Sequence, residues 1–598
     1  MREQLTALRA LMAEEGIDLY LIPSEDYHHS EYVNDYFKCR EYYSGFTGDA
    51  GTLLVGAENA WLWTDGRFFL QGAEQLAGSG IELMKSGEEG VPTLTEFLQA
   101  QSTDVRLTLG FDGRLITARE AEEYASLNLD IRQDLDLAGA AWVSRPPLAA
   151  GDIYDLPAFT TGRSTEDKLE EIRRVMKQGG ADYVFVSDLM ETAWLLNKRG
   201  SDVDCTPVFF AYTIIGMDSV QVFTLQPLTE GGAAATPGSA AALAGATVVN
   251  QAPKAKGFQC RGYDEITQAL TKLPEGSTVW MDGDTTGSTF YGSVPAGVKI
   301  LDAPSPLCLP KALKNDEELA CTREAHVRDG VAMAEFIRWL KSKAGESFTE
   351  IDAADFLLKC RQAQPGFLDI SFPTISAYGP HGAIVHYEPT PESDAPVLPE
   401  GFLLVDSGAQ YLKGTTDITR TIAMGPLTDK EKEYYTLVLQ AHIRLMTTVF
   451  APGTKGIELD ALTRGPLREH GLDYNHGTGH GVGHVLSVHE DPNNISFRAG
   501  EHAIMPRMVT TDEPGVYIAG EFGVRIENEM LCYEREDGQL AHENITYCPY
   551  EREAIVVEML TEEERRWIDA YHAEVLQTLS PLVSDDTAAW LAEACKPL

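Results

Sequence analysis

The chain opens with apolar residues at helical spacing. Leu5, Leu8 and Leu11 recur in "EQLTALRALMAEEG", and Gly16 stands where a helix would end in a left-handed residue. The apolar run "IDLYLIP" that follows predicts a buried strand. The same succession returns further on, in "EDKLEEIRRVMKQGGADYVFVSD": amphipathic helix, glycine, apolar strand, polar stop. "GIDLYLIPS" from Gly16 and "GADYVFVSD" from Gly180 read as two copies of one unit. A repeat of that length predicts two related α/β domains rather than a solenoid.

Breaks in the pattern place the seams. "VSRPPLAAGDIYDLP" is rich in proline and turn residues and separates the two copies. "EGGAAATPGSAAALAG", Glu230 to Gly245, has little to bury and reads as a surface insertion. The prolines of "LDAPSPLCLPKALKNDEELA" preclude regular structure, after which Asn315 or Asp316 can cap a long helix through Lys343. A third domain begins there. The predicted division is 1–155, 156–312 and 313–598, with a C-terminal extension from about 540. Within the third domain, Thr428 and Glu431 have capping-box spacing before "KEYYTLVLQAHIRLM", and Thr561 caps another helix in the tail.

Length and charge narrow the class. A chain of 598 residues exceeds one hydrophobic core. No apolar run approaches the ~18 residues that span a bilayer, and the first residues read as helix and strand rather than as an export signal. The nine cysteines are scattered without a CxxC pair and read as reduced thiols, which predicts a cytoplasmic protein. A formal net charge of -43 disfavours nucleic acid and anionic membranes as partners. An acidic, well-solvated surface is the plain reading of that charge.

The candidate chemistry concentrates in "HGTGHGVGHVLSVHE", which holds His476, His480, His484 and His489 in a chain of 14 histidines. His476, His480 and His484 have the spacing of a helical zinc face. Gly477, Gly479, Gly481 and Gly483 oppose it, since each glycine costs about 1 kcal/mol in a helix. As extended chain the segment puts glycines on one face, where another backbone can approach closely, and histidines on the other. A histidine-only zinc site is therefore not supported.

Carboxylates supply the stronger signal. "FLLVDSGAQYLKGTTDITRTIAM" reads as two strands joined at a turn containing Gly414. Asp406 ends the first apolar run and Asp417 starts the second. Glu513 precedes a Pro-Gly turn, and Arg525 and Glu527 fall on one face of a strand, alternating with Val524 and Ile526. Buried carboxylates need partners or cations. Four of them with an imidazole suit a hard-to-borderline divalent metal, two ions more naturally than one. Turn or capping roles for each aspartate remain the alternative reading at this point.

Long ordered strings carry a resemblance: "WTDGRFFLQ", "LLNKRGSDVDCTPVFFAY", "SFPTISAYGPHGAIVHY", "LLVDSGAQYLKGTTDITRTI", "LDYNHGTGHGVGHVLSVHE" and "TDEPGVYIAGEFGVRIEN". The chain resembles the pita-bread metallopeptidases, specifically the long, three-domain aminopeptidase P (Xaa-Pro aminopeptidase) family. The resemblance implies two creatinase-type α/β domains followed by a pita-bread catalytic domain. It implies metal ligands at Asp406, Asp417, His480, Glu513 and Glu527, with Asp417 and Glu527 bridging two ions. These are expected to be Mn²⁺, with Co²⁺ or Zn²⁺ as alternatives. His386 and His489 fall on substrate-contacting histidines, His476 on a further active-site histidine, and Arg67 on a substrate-contacting arginine of the first domain. Arg525 reads as a partner of the ligand carboxylates with a place beside the substrate. Two departures stand out: His484, where relatives commonly lack histidine, and Pro506-Arg507-Met508, in place of a Gly-Met turn.

The implied activity is hydrolysis of the Xaa-Pro bond at a peptide's N-terminus by water activated between two ions, with Glu513 as proton carrier. The implied partners are peptides with proline second, and a second copy in a homodimer. A prolidase of the same fold, acting on Xaa-Pro dipeptides, is the first alternative, opposed by the duplicated N-terminal unit. Creatinase-like amidinohydrolases and catalytically dead binding modules lack the ligand set that is intact here.

Overall fold

A computed structural model describes residues 4–228, 253, 255–343, 346–498, 500 and 502–598. The insertion expected at Glu230–Gly245 lies outside the described residues. The described chain falls into two compact units. The first takes in 1–155 and the described part of 163–308; the second takes in 156–162 and 309–598.

The first unit holds two six-stranded sheets of the same topology. In the first sheet, Leu19–Pro23 lies at the centre, antiparallel to Thr52–Gly56 and parallel to Leu107–Gly110. Ala60–Thr64 and Glu82–Lys85 extend one side, and Leu129–Arg132 closes the other. In the second sheet, Tyr183–Val186 takes the central place, antiparallel to Ala211–Gly216 and parallel to Thr278–Met281. Every further pairing repeats that of the first sheet. The two sequence copies thus supply the central strand of each sheet together with the helix before it. Those helices are Gln4–Glu15 and Thr165–Gly179, the second capped by Ser164 and closed by left-handed Gly180. The first helix buries Leu5, Leu8 and Met12, while Leu11 stays at the margin.

The stretch before the second unit departs from expectation. It contains the strand Lys299–Asp302 and the short helix Cys308–Ala312. Pro310 sits in the first turn of that helix, where its missing N–H has no intrahelical acceptor to lose. Asn315 then caps the long helix Asp316–Ser342, and its side chain and that of Glu318 close a capping box.

The second unit is built on a long hairpin, Phe402–Tyr411 paired with Gly414–Ala423. One face of the hairpin carries Leu403, Val405, Ile418 and Ile422 onto Met333, Phe336 and Ile337 of the long helix. The other face carries Asp406, Asp417 and Thr419. A five-stranded sheet contains the short strand Gly479–Gly481 between Glu490–Ile495 and Val509–Asp512, then Asn528–Glu534 and Leu540–Asn544.

The C-terminal segment is tied to this hairpin by one buried side chain. Arg420 donates to the backbone oxygens of Thr419, Glu527, Cys548 and Pro549, to Asn528 Oδ1 and to the Tyr571 hydroxyl. Tyr571 lies on the helix Glu562–Leu579, capped by Thr561 as expected and followed by a last helix, Asp585–Ala594. Hydrogen bonds to a charged donor contribute about 1.5–3 kcal/mol each, and buried acceptors left unmade are costly. Arg420→Met should therefore lower stability by at least about 3 kcal/mol, read as a fall in the midpoint of chemical denaturation. An unchanged midpoint would show that the C-terminal segment is held by other means.

Candidate active site

The hairpin fixes the first two carboxylates. Asp406 and Asp417 lie inside ten-residue strands rather than at their ends. The register pairs Asp406 with Thr419 and Gly408 with Asp417, so the two aspartates share one face on diagonal positions. The apolar run seemed to stop at Asp406 because the following Ser407, Gly408 and Gln410 are polar or small, yet the sheet continues, buried, through Tyr411.

Glu527 does not share a strand with Arg525. Arg525 ends Phe522–Arg525, and Asn528 begins the next strand in a different sheet. The intervening backbone is guided by the hairpin: the Arg525 N–H donates to the Thr421 hydroxyl, and the Glu527 N–H to the Thr419 carbonyl at 3.1 Å. Thr419 Oγ1 donates to Glu527 at 2.8 Å. Glu513 follows Val509–Asp512, its N–H donating to the Thr478 carbonyl at 2.8 Å.

The glycines do what an extended reading requires. A Cβ on Gly479 would overlap the Thr511 carbonyl, and one on Gly481 the Glu490 carbonyl. These close approaches wedge His480 between two strands. Its Nδ1–H donates to the Gly481 carbonyl at 2.9 Å, which turns the Nε2 lone pair toward the carboxylates. That nitrogen lies 3.4 Å from an oxygen of Asp417 and 3.4 Å from one of Glu513. Ligand atoms of Asp417, His480 and Glu527 all fall within 4.8 Å of one another.

An acceptor nitrogen facing two carboxylates is repulsive by itself. Asp406 Oδ1, Asp417 Oδ1 and Glu527 Oε1 are buried without a hydrogen-bond partner. Burial, then repulsion from Asp406 and Glu513, lifts the Asp417 carboxyl well above the ordinary carboxylate range. Burial, then Asp417, does the same to Glu527, and burial, then Glu527, to Glu513. Oxygen donors aimed at a common space, with one imidazole, fit divalent cations.

Around this set sits a shell of donors. Arg525 donates from Nε and Nη2 to Asp406 Oδ2 at 3.0 and 2.6 Å, and from Nη1 to the Tyr517 hydroxyl at 2.8 Å. It is 2 % exposed. The geometry favours its reading as a partner of the carboxylate over a substrate contact. Tyr517 in turn bonds His476 Nε2 at 2.8 Å, while His476 Nδ1 donates to the Gly477 carbonyl at 2.7 Å. Burial first, then Arg525, holds His476 well below its ordinary pKa, so it stays neutral. His476 lies at the edge of the set, 3.9 Å from Glu513.

Exposure divides the site. Asp406, Asp417 and Glu527 are buried, whereas His480, Glu513, His386 and His489 retain some surface. His489 packs edge-on against His480 with ring centroids 4.2 Å apart. Reaching that position requires the chain to turn back after Gly481. It does so through Val485 at φ 52° and a Gly483 N–H to Ser487 carbonyl bond. His386 follows the helical turn Gly379–Ala383, and the carbonyl of neighbouring Val385 accepts from Arg525. His484 stands apart: its two ring nitrogens bond the Thr322 hydroxyl and the Thr160 carbonyl. Arg67 belongs to the first unit, where Asp65 engages its guanidinium bidentately. Tyr517, Thr419 and Thr511 were not singled out from sequence. For Thr419 a signal existed, because Asp417, Thr419 and Thr421 alternate onto one strand face.

The fold and site define a metallopeptidase. Profiles of known families match nearly the whole chain: Creatinase/Prolidase N-terminal domain at residues 4–137 and again at 144–318, Metallopeptidase family M24 at 320–534, and the C-terminal region of that peptidase at 538–598. Aminopeptidase P2 of Arabidopsis thaliana is 37% identical over 100% of this chain and 88% of its own length. A probable Xaa-Pro aminopeptidase P of Talaromyces marneffei is 38% identical, covering 100% and 92%. The crystal structure of an X-prolyl aminopeptidase from Caenorhabditis elegans, described as a cytosolic enzyme with a di-nuclear active site, superposes with a TM-score of 0.90 at 32% identity, over 100% of this chain and 99% of that one. The chain belongs to metallopeptidase family M24.

The raised carboxyls set a pH dependence. A carboxyl with a folded pKa above its unfolded value stabilises the fold at low pH, and that contribution is lost as pH rises toward the folded pKa. Stripped of metal, the protein should therefore lose thermal stability as pH is raised from about 5 to 8. Excess Mn²⁺ should abolish the loss, so that the metal-induced rise in Tm grows with pH. A metal-induced rise that shrank with pH would contradict the charge balance described.

Proposed function

We propose that this chain is an Xaa-Pro aminopeptidase: it removes the N-terminal residue from peptides whose second residue is proline. The observation that carries the reading is the meeting of Asp406, Asp417, Glu527, Glu513 and His480, with buried carboxylate oxygens left unmatched. They meet in a chain alignable from end to end with aminopeptidases P. That end-to-end match, N-terminal duplication included, favours the aminopeptidase over the dipeptidase reading.

In this reading Asp406, Asp417, His480, Glu513 and Glu527 would hold two divalent cations, Mn²⁺ being the choice we favour. Such ions supply Lewis acidity and a water ionisable near neutral pH. Glu513, partly exposed, would accept a proton from water and deliver it to the departing prolyl nitrogen. That nitrogen bears no hydrogen in the substrate and must gain one to leave. His489 and His386, on the open side, hydrogen-bond the scissile carbonyl and the charge developing on its oxygen. Arg525 holds Asp406 in place, and His476 with Tyr517 backs Glu513. Arg67 contacts the peptide. The enzyme acts in the cytoplasm as a homodimer, with domains at 1–155, 156–312 and 313–598 and an extension from about 540.

A peptide panel tests the reading. Wild-type protein with Mn²⁺ should cleave Xaa-Pro-Yaa tripeptides and longer peptides and spare Xaa-Ala-Yaa, and Glu513→Ala should lose at least about a hundredfold in kcat. Cleavage confined to Xaa-Pro dipeptides would make it a prolidase. Full activity of Glu513→Ala would remove Glu513 from proton transfer.

A further inference from the structure

Directly after His489, the chain places Glu490 in a setting the chemistry above does not use. The Glu490 side chain is 1 % exposed, and two lysine ammonium groups converge on it. Lys311 Nζ donates to Oε1 at 3.1 Å, and Lys314 Nζ donates to Oε2. The lysine side chains are 3 % and 2 % exposed. Lys314 donates further to the Lys311 carbonyl at 3.2 Å. Two buried cations on one buried anion form an expensive arrangement, and well-packed apolar residues of similar volume would serve folding as well.

The position of the cluster indicates what it does. Glu490 pairs across the sheet with Gly481, the residue after the ligand His480, at the contact where a Cβ on Gly481 would overlap the Glu490 carbonyl. The His489 ring, one residue earlier, rests against the His480 ring. The lysines come from the lead-in to the catalytic unit: Lys311 from the helix Cys308–Ala312, Lys314 from the residues before the Asn315 cap. The same lead-in holds a second flank of the site. Lys314 and Arg507 exchange hydrogen bonds: the Lys314 N–H donates to the Arg507 carbonyl at 3.1 Å, and Arg507 Nη1 to the Lys314 carbonyl at 3.1 Å. Arg507 has φ 78° and lies just ahead of Val509–Asp512, the strand that delivers Glu513. This is the stretch whose Pro-Arg-Met sequence departs from the Gly-Met turn of relatives.

We propose that Glu490, gripped by Lys311 and Lys314, is a positioning residue for His489: it fixes the backbone at which His489 leaves the sheet, and so the aim of its ring at the scissile carbonyl. The proposal rests on the reading of His489 as a substrate contact. A two-point hold by opposed charges resists rotation of the carboxylate plane, which one partner would leave free.

The test compares Glu490→Gln, Lys311→Met and His489→Ala singly, and each of the first two combined with His489→Ala, on an Xaa-Pro-Yaa tripeptide with Mn²⁺. Metal content and Tm are measured alongside kcat and KM. Lys311→Met leaves a one-to-one buried pair, and it answers the question if Glu490→Gln fails to fold. The expected result is a loss in kcat of about tenfold or more in folded, metal-replete single variants. In the His489→Ala background the further loss should fall below about twofold, because the residue acted upon is gone. An undiminished loss in that background, or unchanged kcat in folded variants, overturns the proposal. A silent His489→Ala, or wild-type protein inert toward the tripeptide, would instead overturn the reading of the site on which it rests.

Discussion

Mutual repulsion among buried carboxylates is the constraint around which the catalytic unit is arranged. Asp406, Asp417, Glu513 and Glu527 are brought from four places in the chain into one space, where their charges raise the cost of ionising Asp417, Glu513 and Glu527. Nothing about a hairpin or a sheet rewards that. The fold tolerates it through rigid framing: a hairpin of two ten-residue strands sets the diagonal spacing of the aspartates, Thr419 steadies Glu527, and Arg525 covers one oxygen of Asp406. The remaining oxygens are left facing inward. A protein that needed only stability would neutralise this set; one that binds cations keeps it charged.

Framing extends well beyond the ligands. Arg420 lies on the hairpin face opposite Asp417 and Thr419, and it collects carbonyls from the Cys548–Pro549 turn and the hydroxyl of Tyr571. The helix Glu562–Leu579 is thereby part of what holds the backbone of Glu527. His442, bonded to the Tyr550 hydroxyl and 3.1 Å from Asp512, makes a second such tie beside Glu513. Glu513 and Glu527 thus each have a buried polar side chain behind them that leads to the C-terminal segment.

Much of this was legible in sequence where the cause is local. The Thr428–Glu431 capping box and the Thr561 cap appear as read, and of the two caps offered at 315–316 the structure uses Asn315; each depends on residues three positions apart. The duplicated helix–glycine–strand pattern foretold two sheets that agree strand for strand. The glycine alternation excluded a helix at His476–His484, and the structure uses those glycines for backbone contact. Legibility failed where the cause is tertiary. Asp406 looked like a strand end because a strand buried on both faces was read by its apolar residues alone. Arg525 and Glu527 looked like neighbours on one strand because nothing local marks the point where the chain passes from one sheet to the next. Tyr517 carries no motif of its own; its role arises from a hydroxyl that meets an arginine and a histidine distant in sequence.

His480 illustrates a last point. Its place is set by main-chain atoms on both sides, with Thr511 and Glu490 carbonyls seated against Gly479 and Gly481. Position and surroundings are thereby decoupled. Substitutions around the imidazole can alter polarity, access or the width of the neighbouring space, but no side chain in its own strand is available to shift where the nitrogen stands. The place of this imidazole is thus fixed by backbone contacts, and changes in what the site accepts fall to the surroundings of the partly exposed His386, His489 and Glu513.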